Sequence, residues 1–403
     1  MMTKRERVAA VLNHKQPDRV PLGLGGCETE GLHAAAYGRL QKILGITPSP
    51  PRIDTFMCNA VFEAEMMEAV GADILLVASP RMCSAPIRGR GHEKFWKPQE
   101  LWGKNYRVPV NEIFSTRADG ALVWETAGGS VCPAGGWFFD LESPTDLCAE
   151  FEYPDPDDYN PPDDLPDQML RQLEDTAHTL YNETEYALCL GETITDLQFA
   201  PGGLVGSMIL MLEKPELMCA YLQKAVDAAL RQLKLLEQAV GRYVDILSIA
   251  QDFGDNRGLT IGAPLWREIY KPYYKQLFTG WHQISRMKIN FHSCGAVRDI
   301  LSDLIACGLD ILNPVQVSAE GMEPQGLKKD FGDSLVFWGG DYDAQLNPKT
   351  DSYETVYNRV AQNLEILKQG GGHIFSGVHN LPADTPDAHL SAILDAWRDH
   401  SLY

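Results

Sequence analysis

The chain has 403 residues, 44% of them hydrophobic and 22% charged, which is enough apolar material for a sizeable core and excludes disorder, collagen and coiled coil. Its 35 basic and 55 acidic residues leave a net charge of −20, a balance with no general attraction to nucleic acid or anionic lipid. No apolar run approaches the roughly 20 residues of a membrane span, the N-terminus opens without a signal-like apolar block, and the nine cysteines are scattered without a CxxC pair, so a cytoplasmic protein with reduced thiols is expected.

In chain order, Thr3-Lys4-Arg5-Glu6 has the pattern of a capping box ahead of an amphipathic helix that ends near Asn13 and is expected to plug or flank the fold. Short β-rich apolar runs then recur at 20–26, 72–78, 185–190, 245–252, 288–294, 310–315, 335–340 and 372–377. Most intervening stretches read as amphipathic helices, among them Pro215 to Val240 and Thr350 to Gln369. Strands that are continuously apolar suggest a parallel sheet covered by helices, and eight βα units predict a (β/α)₈ TIM barrel, with a doubly wound open sheet as the alternative.

Residues 1–403 are read as one such barrel with a β-rich insertion after the second strand, over 80–167. From His92 to Leu141 aromatic and polar residues alternate between glycine turns, the pattern of an antiparallel meander, and a Pro- and Asp-rich connector follows from Tyr153 to Asp167. At the C-terminal face of a barrel this insertion is either part of a lid or a peripheral ribbon, the latter compatible with a homodimer.

The sharpest chemical feature is Asn290-Phe291-His292-Ser293-Cys294-Gly295 at the end of an apolar run. In a strand, residues i and i+2 face one side, so the His292 imidazole and the Cys294 thiol project together and Gly295 lets the chain turn sharply after them. Nitrogen and sulfur donors suit Zn²⁺. A buried His and Cys with no metal is the alternative reading, and a third donor from another strand end would decide between them. His379, just beyond the last predicted strand, is expected to approach the same mouth, whereas His373 at the start of that strand would lie at the other end. Carboxylates gather at predicted strand C-termini as well: Glu28, Glu192, Asp252, Asp255, Asp341 and Asp343. Each alone is more often a solvated or capping acid; as a ring on one rim they would complete a metal shell, orient its ligands or act as general acid.

The opening ERVAAVLNHKQPDRVPLGLGG, then NFHSCGAVRDILSDLIACGLDILNPVQ, FWGGDYDAQ and GGGHIFSGVHNLPADTP resemble, in order and along nearly the whole chain, the uroporphyrinogen decarboxylase superfamily. More narrowly they are similar to its corrinoid-linked zinc methyltransferase branch, of the cobamide-dependent methyltransferase or O-demethylase type. The resemblance implies a TIM barrel with its pocket at the C-terminal mouth, used for porphyrinogen decarboxylation in one branch and zinc-dependent methyl transfer in the other. Decarboxylases resemble one another in an arginine-containing loop that grips substrate carboxylates, but the matching stretch here, Gly25-Gly26-Cys27-Glu28-Thr29-Glu30, has no arginine. They also carry an aspartate at the end of the second strand, where this chain has Ala78 and Ser79. The HxCG pair is similar to the first two zinc ligands of the methyltransferase branch.

One feature departs from that branch: its thiol-methylating members carry a Gly-Cys near the last strand as third zinc ligand, and this chain has Val378-His379. His379 is a chemically reasonable third ligand, with Glu192 or Asp252 as alternatives. The expected function is therefore methyl transfer between a small methylated substrate and a corrinoid, with zinc as Lewis acid or thiolate holder and Glu192 or Asp252 protonating the departing oxygen. Cobalamin would be carried by a partner protein, because the chain lacks the Asp-x-His-x-x-Gly pattern of a base-off cobamide domain. Trp124, Trp137 and Phe138 are candidate contacts for an aryl methyl ether. Two alternatives stand beside this: a decarboxylase gripping carboxylates with Arg81, Arg88, Arg90 or Arg257, and a non-catalytic tetrapyrrole- or corrinoid-binding protein.

Overall fold

A computed structural model describes the chain except residues 1, 81, 82, 84, 141–154, 156, 158, 159, 162, 163, 195, 196 and 198–202. Three helices, α1 (Lys4–Leu12), α2 (Ala34–Ile43) and α3 (Ala64–Val70), precede strand β1 (Ile74–Ala78). Five short strands follow, β2 (Trp96–Leu101), β3 (Lys104–Pro109), β4 (Phe114–Thr116), β5 (Leu122–Trp124) and β6 (Ser130–Cys132), and then α4 (Asp167–Glu183). From there strands and helices alternate: β7 (Ala187–Leu190), α5 (Gly203–Glu213), α6 (Pro215–Val240), β8 (Ile246–Ala250), α7 (Ala263–Ile269), α8 (Lys271–Ile284), β9 (Lys288–His292) and α9 (Arg298–Cys307). The chain closes with β10 (Ile311–Asn313), α10 (Pro324–Phe331), β11 (Val336–Trp338), α11 (Tyr353–Leu367), β12 (His373–Ile374) and α12 (Asp387–His400).

Strands β1, β7, β8, β9, β10, β11 and β12 form one parallel sheet in that order. All residues of β7, β10, β11 and β12 are buried, as continuous apolar runs require when helices cover a sheet. The sheet curls on itself. Val8, Val11 and Leu12 of α1 share one buried cluster with Ile74, Ala187, Ile246, Ile311, Val336 and Ile374, so residues near the starts of six strands converge on one helix. Helix α1 begins at a complete capping box, Thr3 accepting from the Glu6 N–H while Glu6 accepts from the Thr3 N–H, and its apolar face plugs this end.

The run at 20–26 does not form a ladder strand, but it joins both edges of the sheet. Asp73 N–H donates to Leu22 O and Phe375 N–H to Pro21 O, both at 2.9 Å, and Leu22 bridges Phe375 in parallel. Gly23 is required by this close approach, since a Cβ there would lie 2.2 Å from Trp338 Nε1 and 2.8 Å from Ile374 Cγ2. Asp73, fully buried, anchors the junction by accepting from Arg7, Arg19 and the Leu22 N–H at 2.7, 2.7 and 2.8 Å. The architecture is mixed α/β and compatible with a TIM-like barrel.

Between β1 and α4 the strands are antiparallel: β2 pairs β3 across a two-residue turn, Trp102-Gly103, with φ of 50° and 68°, and β4, β5 and β6 form a second small sheet. Much of the Tyr153 to Asp167 connector lies outside the described residues. Among the described residues no helix is long and apolar enough to cross a membrane.

Candidate metal centre

Strand β9 delivers the first two donors. His292 is its last residue and Cys294 follows on the same side, with His292 Nε2 3.5 Å from Cys294 Sγ. The turn after them needs Gly295, whose φ is +87° and where a Cβ would fall 2.3 Å from the carbonyl carbon of Gly254. His379 arrives from the loop after β12, which is held by Val378 N–H donating to Tyr342 O at 2.8 Å. The His292 and His379 rings stand 5.2 Å apart at 76°. His292, Cys294 and His379 each offer a ligand atom within 4.8 Å of the others, and among the described residues no other group of three or more His, Cys, Asp or Glu does so.

The tautomer of His292 follows from its neighbours. Asn313, last residue of β10 and register partner of His292, donates its amide N–H to Glu30, so its Oδ1 is the acceptor facing His292. His292 Nδ1–H therefore donates to Asn313 Oδ1 at 2.8 Å, beside a second donor, Thr29 Oγ1, at 2.9 Å. The Nε2 lone pair is left turned toward Cys294, as a ligand nitrogen needs.

Desolvation disfavours the charged form of each donor. It lowers His292 and takes His379 down to about 3, His292 adding to the latter, while the Cys294 thiol is pushed up to about 12 by desolvation and by the charges of Asp252 and Glu30. Two neutral imidazoles and a thiol that lacks a counter-charge form a donor set fitted to a borderline-soft divalent cation such as Zn²⁺.

The carboxylates of the rim have separate employments. Asp252, exposed beyond β8, accepts the Cys294 N–H at 2.8 Å and lies 4.0 Å from His292 Nε2. Glu192 is buried beyond β7, and its N–H donates to Glu28 Oε1 at 2.8 Å. Asp255 caps its own loop through the Arg257 and Gly258 N–H groups, and Asp343 accepts from the Gln345 N–H of its own loop and from the Ser318 N–H of the loop after β10. Asp341 is buried against His373, both oxygens 3.1 Å from Nε2, which assigns that histidine to the barrel wall. None of these acids joins the three-residue ligand set. Of the arginines, Arg88 donates to backbone carbonyls of Leu76 and Phe62, Arg90 and Arg257 are exposed, and Arg81 lies outside the described residues. Trp124 donates to Glu112, while Trp137 and Phe138 pack edge-on against His33.

The residues that sequence reasoning passed over are Asn313, Glu30, Thr29 and an amide row beside the donors. Gln316 accepts the Gly295 N–H at 2.8 Å and donates to Asn256, which donates to Gln345. Cys294, Gln316 and Gln345 are common walls of two adjoining cavities of about 280 and 460 Å³, so the donors open onto a cleft of mixed apolar and amide lining.

The uroporphyrinogen decarboxylase (URO-D) family model matches residues 202–400, a stretch that contains all three donors. No curated protein matches the sequence. Among solved structures, a methyltransferase from Methanosarcina mazei is 13% identical, covers 99% of this chain and 99% of its own, and superimposes with a TM-score of 0.54, a likeness of fold. Xylanase B from Clostridium stercorarium F9, 12% identical over 55% of this chain and 82% of its own with a TM-score of 0.34, overlaps too little to bear on the site. From strands, donor residues and family match together, residues 202–400 carry a uroporphyrinogen decarboxylase (URO-D) family domain.

Proposed function

We propose that this chain is a zinc-dependent methyltransferase that moves a methyl group between a small methylated substrate, a methyl ether or similar heteroatom donor, and a corrinoid carried by a separate protein. The observation that carries the reading is the convergence of His292, Cys294 and His379 within 4.8 Å at the edge of a cleft. The whole-length likeness of fold to a methyltransferase supports it, as does the absence of arginine from Gly25 to Glu30, where a tetra-acid substrate would meet acids. Zinc held by these three side chains would supply Lewis acidity at the heteroatom of a methyl donor, or keep an acceptor thiol ionised.

The chain's own residues do the rest. Asn313 holds the His292 ring and its proton on Nδ1, so that Nε2 stays available. Asp252, exposed and 4.0 Å from that nitrogen, gives a proton to the departing heteroatom in O-demethylation, with Glu192 as the other candidate acid. The amides of Gln316 and Gln345 orient polar groups of the substrate in the cleft. Residues 1–403 act as one barrel, and 80–167 form an insertion whose aromatics, Trp124, Trp137 and Phe138, belong to a lid that opens for the partner's corrinoid.

Elemental analysis of protein purified without chelator tests the reading. Near-stoichiometric zinc in the wild type and its loss in His292→Ala, Cys294→Ser and His379→Ala are expected, followed by methyl transfer that requires cob(I)alamin. A folded, metal-free wild type, or methyl transfer to a free acceptor with no corrinoid present, overturns it.

A further inference from the structure

Beside β1, away from the three donors, the fold holds a small, partly open chamber of about 40 Å³, room for one to a few water-sized species. Its polar walls are Glu28, Asp54, Asn59, Ser79 and Arg88. Three of their oxygens, Glu28 Oε2, Asn59 Oδ1 and Ser79 Oγ, are buried without any hydrogen-bond partner, on residues that are each only 5% exposed. Orphaned polar atoms of this kind are costly, and their clustering calls for an occupant.

The surroundings hold these oxygens in place. Glu28 Oε1 accepts the Glu192 N–H at 2.8 Å, and Asn59 Nδ2 donates to Glu28 O at 3.1 Å, which fixes the amide so that Oδ1 is the free end. Asp54 accepts from the Phe56 and Met57 N–H groups at 2.9 and 3.3 Å. Gly191 permits their close approach: a Cβ there would lie 2.7 Å from Ser79 Oγ and 2.8 Å from Glu28 Oε2, so both oxygens pack against its backbone.

One cationic side chain, Arg88, lies on its wall, and its Nε and Nη2 donate to the carbonyls of Leu76 and Phe62 at 2.7 and 2.9 Å rather than to the orphaned oxygens. Among the described residues no cationic side chain pairs with Glu28 or Asp54. Burial raises both carboxyls, Asp54 to about 7 with the Glu28 charge contributing.

We propose that this chamber binds a small monovalent cation of ammonium size, held by Glu28 Oε2, Asn59 Oδ1 and Ser79 Oγ, supplied either as a free alkali or ammonium ion or as the ammonium head of a small ligand. Oxygen ligands suit hard cations, whereas a divalent ion such as Ca²⁺ takes about 6–8 of them, more than converge here. The site stands independently of the methyl-transfer reading. It adjoins the metal centre through the chain, because Thr29 and Glu30, the next two residues after Glu28, are the ones that hold Asn313 behind His292.

The test is thermal unfolding of the wild-type protein at constant ionic strength. Tetramethylammonium chloride, too bulky for the chamber, is replaced stepwise by sodium, potassium, ammonium or methylammonium chloride. A saturable rise in midpoint with at least one of the four is expected. A rise with the inorganic ions alone identifies a free ion as the source, and a response to methylammonium at least as strong identifies an amine head. Glu28→Gln should weaken the apparent affinity by about tenfold or more, the loss of one charged hydrogen-bond acceptor. No saturable rise in the wild type, or an undiminished rise in Glu28→Gln that is folded by circular dichroism, overturns the proposal.

Discussion

An imidazole has two nitrogens, and the one that keeps its proton decides whether the ring can be a ligand. At His292 the decision is made two residues removed, by Glu30 accepting from the Asn313 amide and so turning Asn313 Oδ1 toward His292 Nδ1. Asn313→Leu removes that acceptor while keeping the volume, and zinc affinity measured by chelator competition should fall roughly 10- to 100-fold, the usual cost of losing an outer partner of a metal histidine. An unchanged affinity would show that packing alone orients the ring. Gly295 is constrained differently, by a left-handed backbone and by the Gly254 carbonyl carbon 2.3 Å from where a Cβ would be. Gly295→Ala should cost about 1–3 kcal/mol of stability from backbone strain, seen as a lower denaturant midpoint with an unchanged slope. Of these residues, His292, Cys294 and Gly295 were legible because a strand has a period of two and a glycine follows it. Asn313 and Glu30 were not, because their meeting depends on the register of β9 against β10 and on where the 25–30 loop returns, which no local pattern encodes.

At the scale of elements, the runs that became β7 to β12 were readable because a buried parallel strand is apolar on both faces, and α1 because its cap and its apolar spacing agree. The run at 20–26 was read as a strand and instead crosses the gap between β1 and β12 with Leu22 as its only parallel bridge to the β12 side; three glycines and Pro21 leave little backbone for a regular ladder. Helix α1 then carries more of the closure than its nine residues suggest. Val8, fully buried among strand starts, should on truncation to Ala destabilise the fold by about 1–3 kcal/mol. The same helix makes the protein acid-sensitive. Arg7 donates to Asp18 and holds its carboxyl at about 2, below its ordinary 3.8. Because the folded value is the lower one, the pair stabilises the fold above about pH 4 and that contribution is lost as pH falls toward 2. Stability measured from pH 5 to 2 should therefore drop less steeply in Asp18→Asn than in the wild type, and equal slopes would remove Asp18 from the account.

For the whole molecule the question is whether the proposed metal is part of the fold or a guest at its mouth. The donors come from the end of β9 and from the loop after β12, and the sheet already links these arcs through β10 and β11. The loop carrying His379 is separately tied down, by Val378 N–H to Tyr342 O and by Leu381 N–H to Gly31 O at 3.0 Å, and the plug at the opposite end involves no donor. Removing zinc should thus leave secondary structure intact and lower only the thermal midpoint. A metal present at a thousand times its dissociation constant adds about 4 kcal/mol to folding. Spread over an unfolding entropy near 2 cal/mol/K per residue, or about 0.8 kcal/mol/K for 403 residues, that corresponds to a midpoint lowered by about 5 °C. Far-ultraviolet circular dichroism before and after chelation, with zinc restored in a third sample, separates the cases. An unchanged spectrum with a reversible shift of a few degrees places the metal at the mouth, where a substrate can reach it. Loss of the spectrum on chelation would make the metal a structural member of the fold and would leave the cleft beside Cys294 without the chemistry proposed for it.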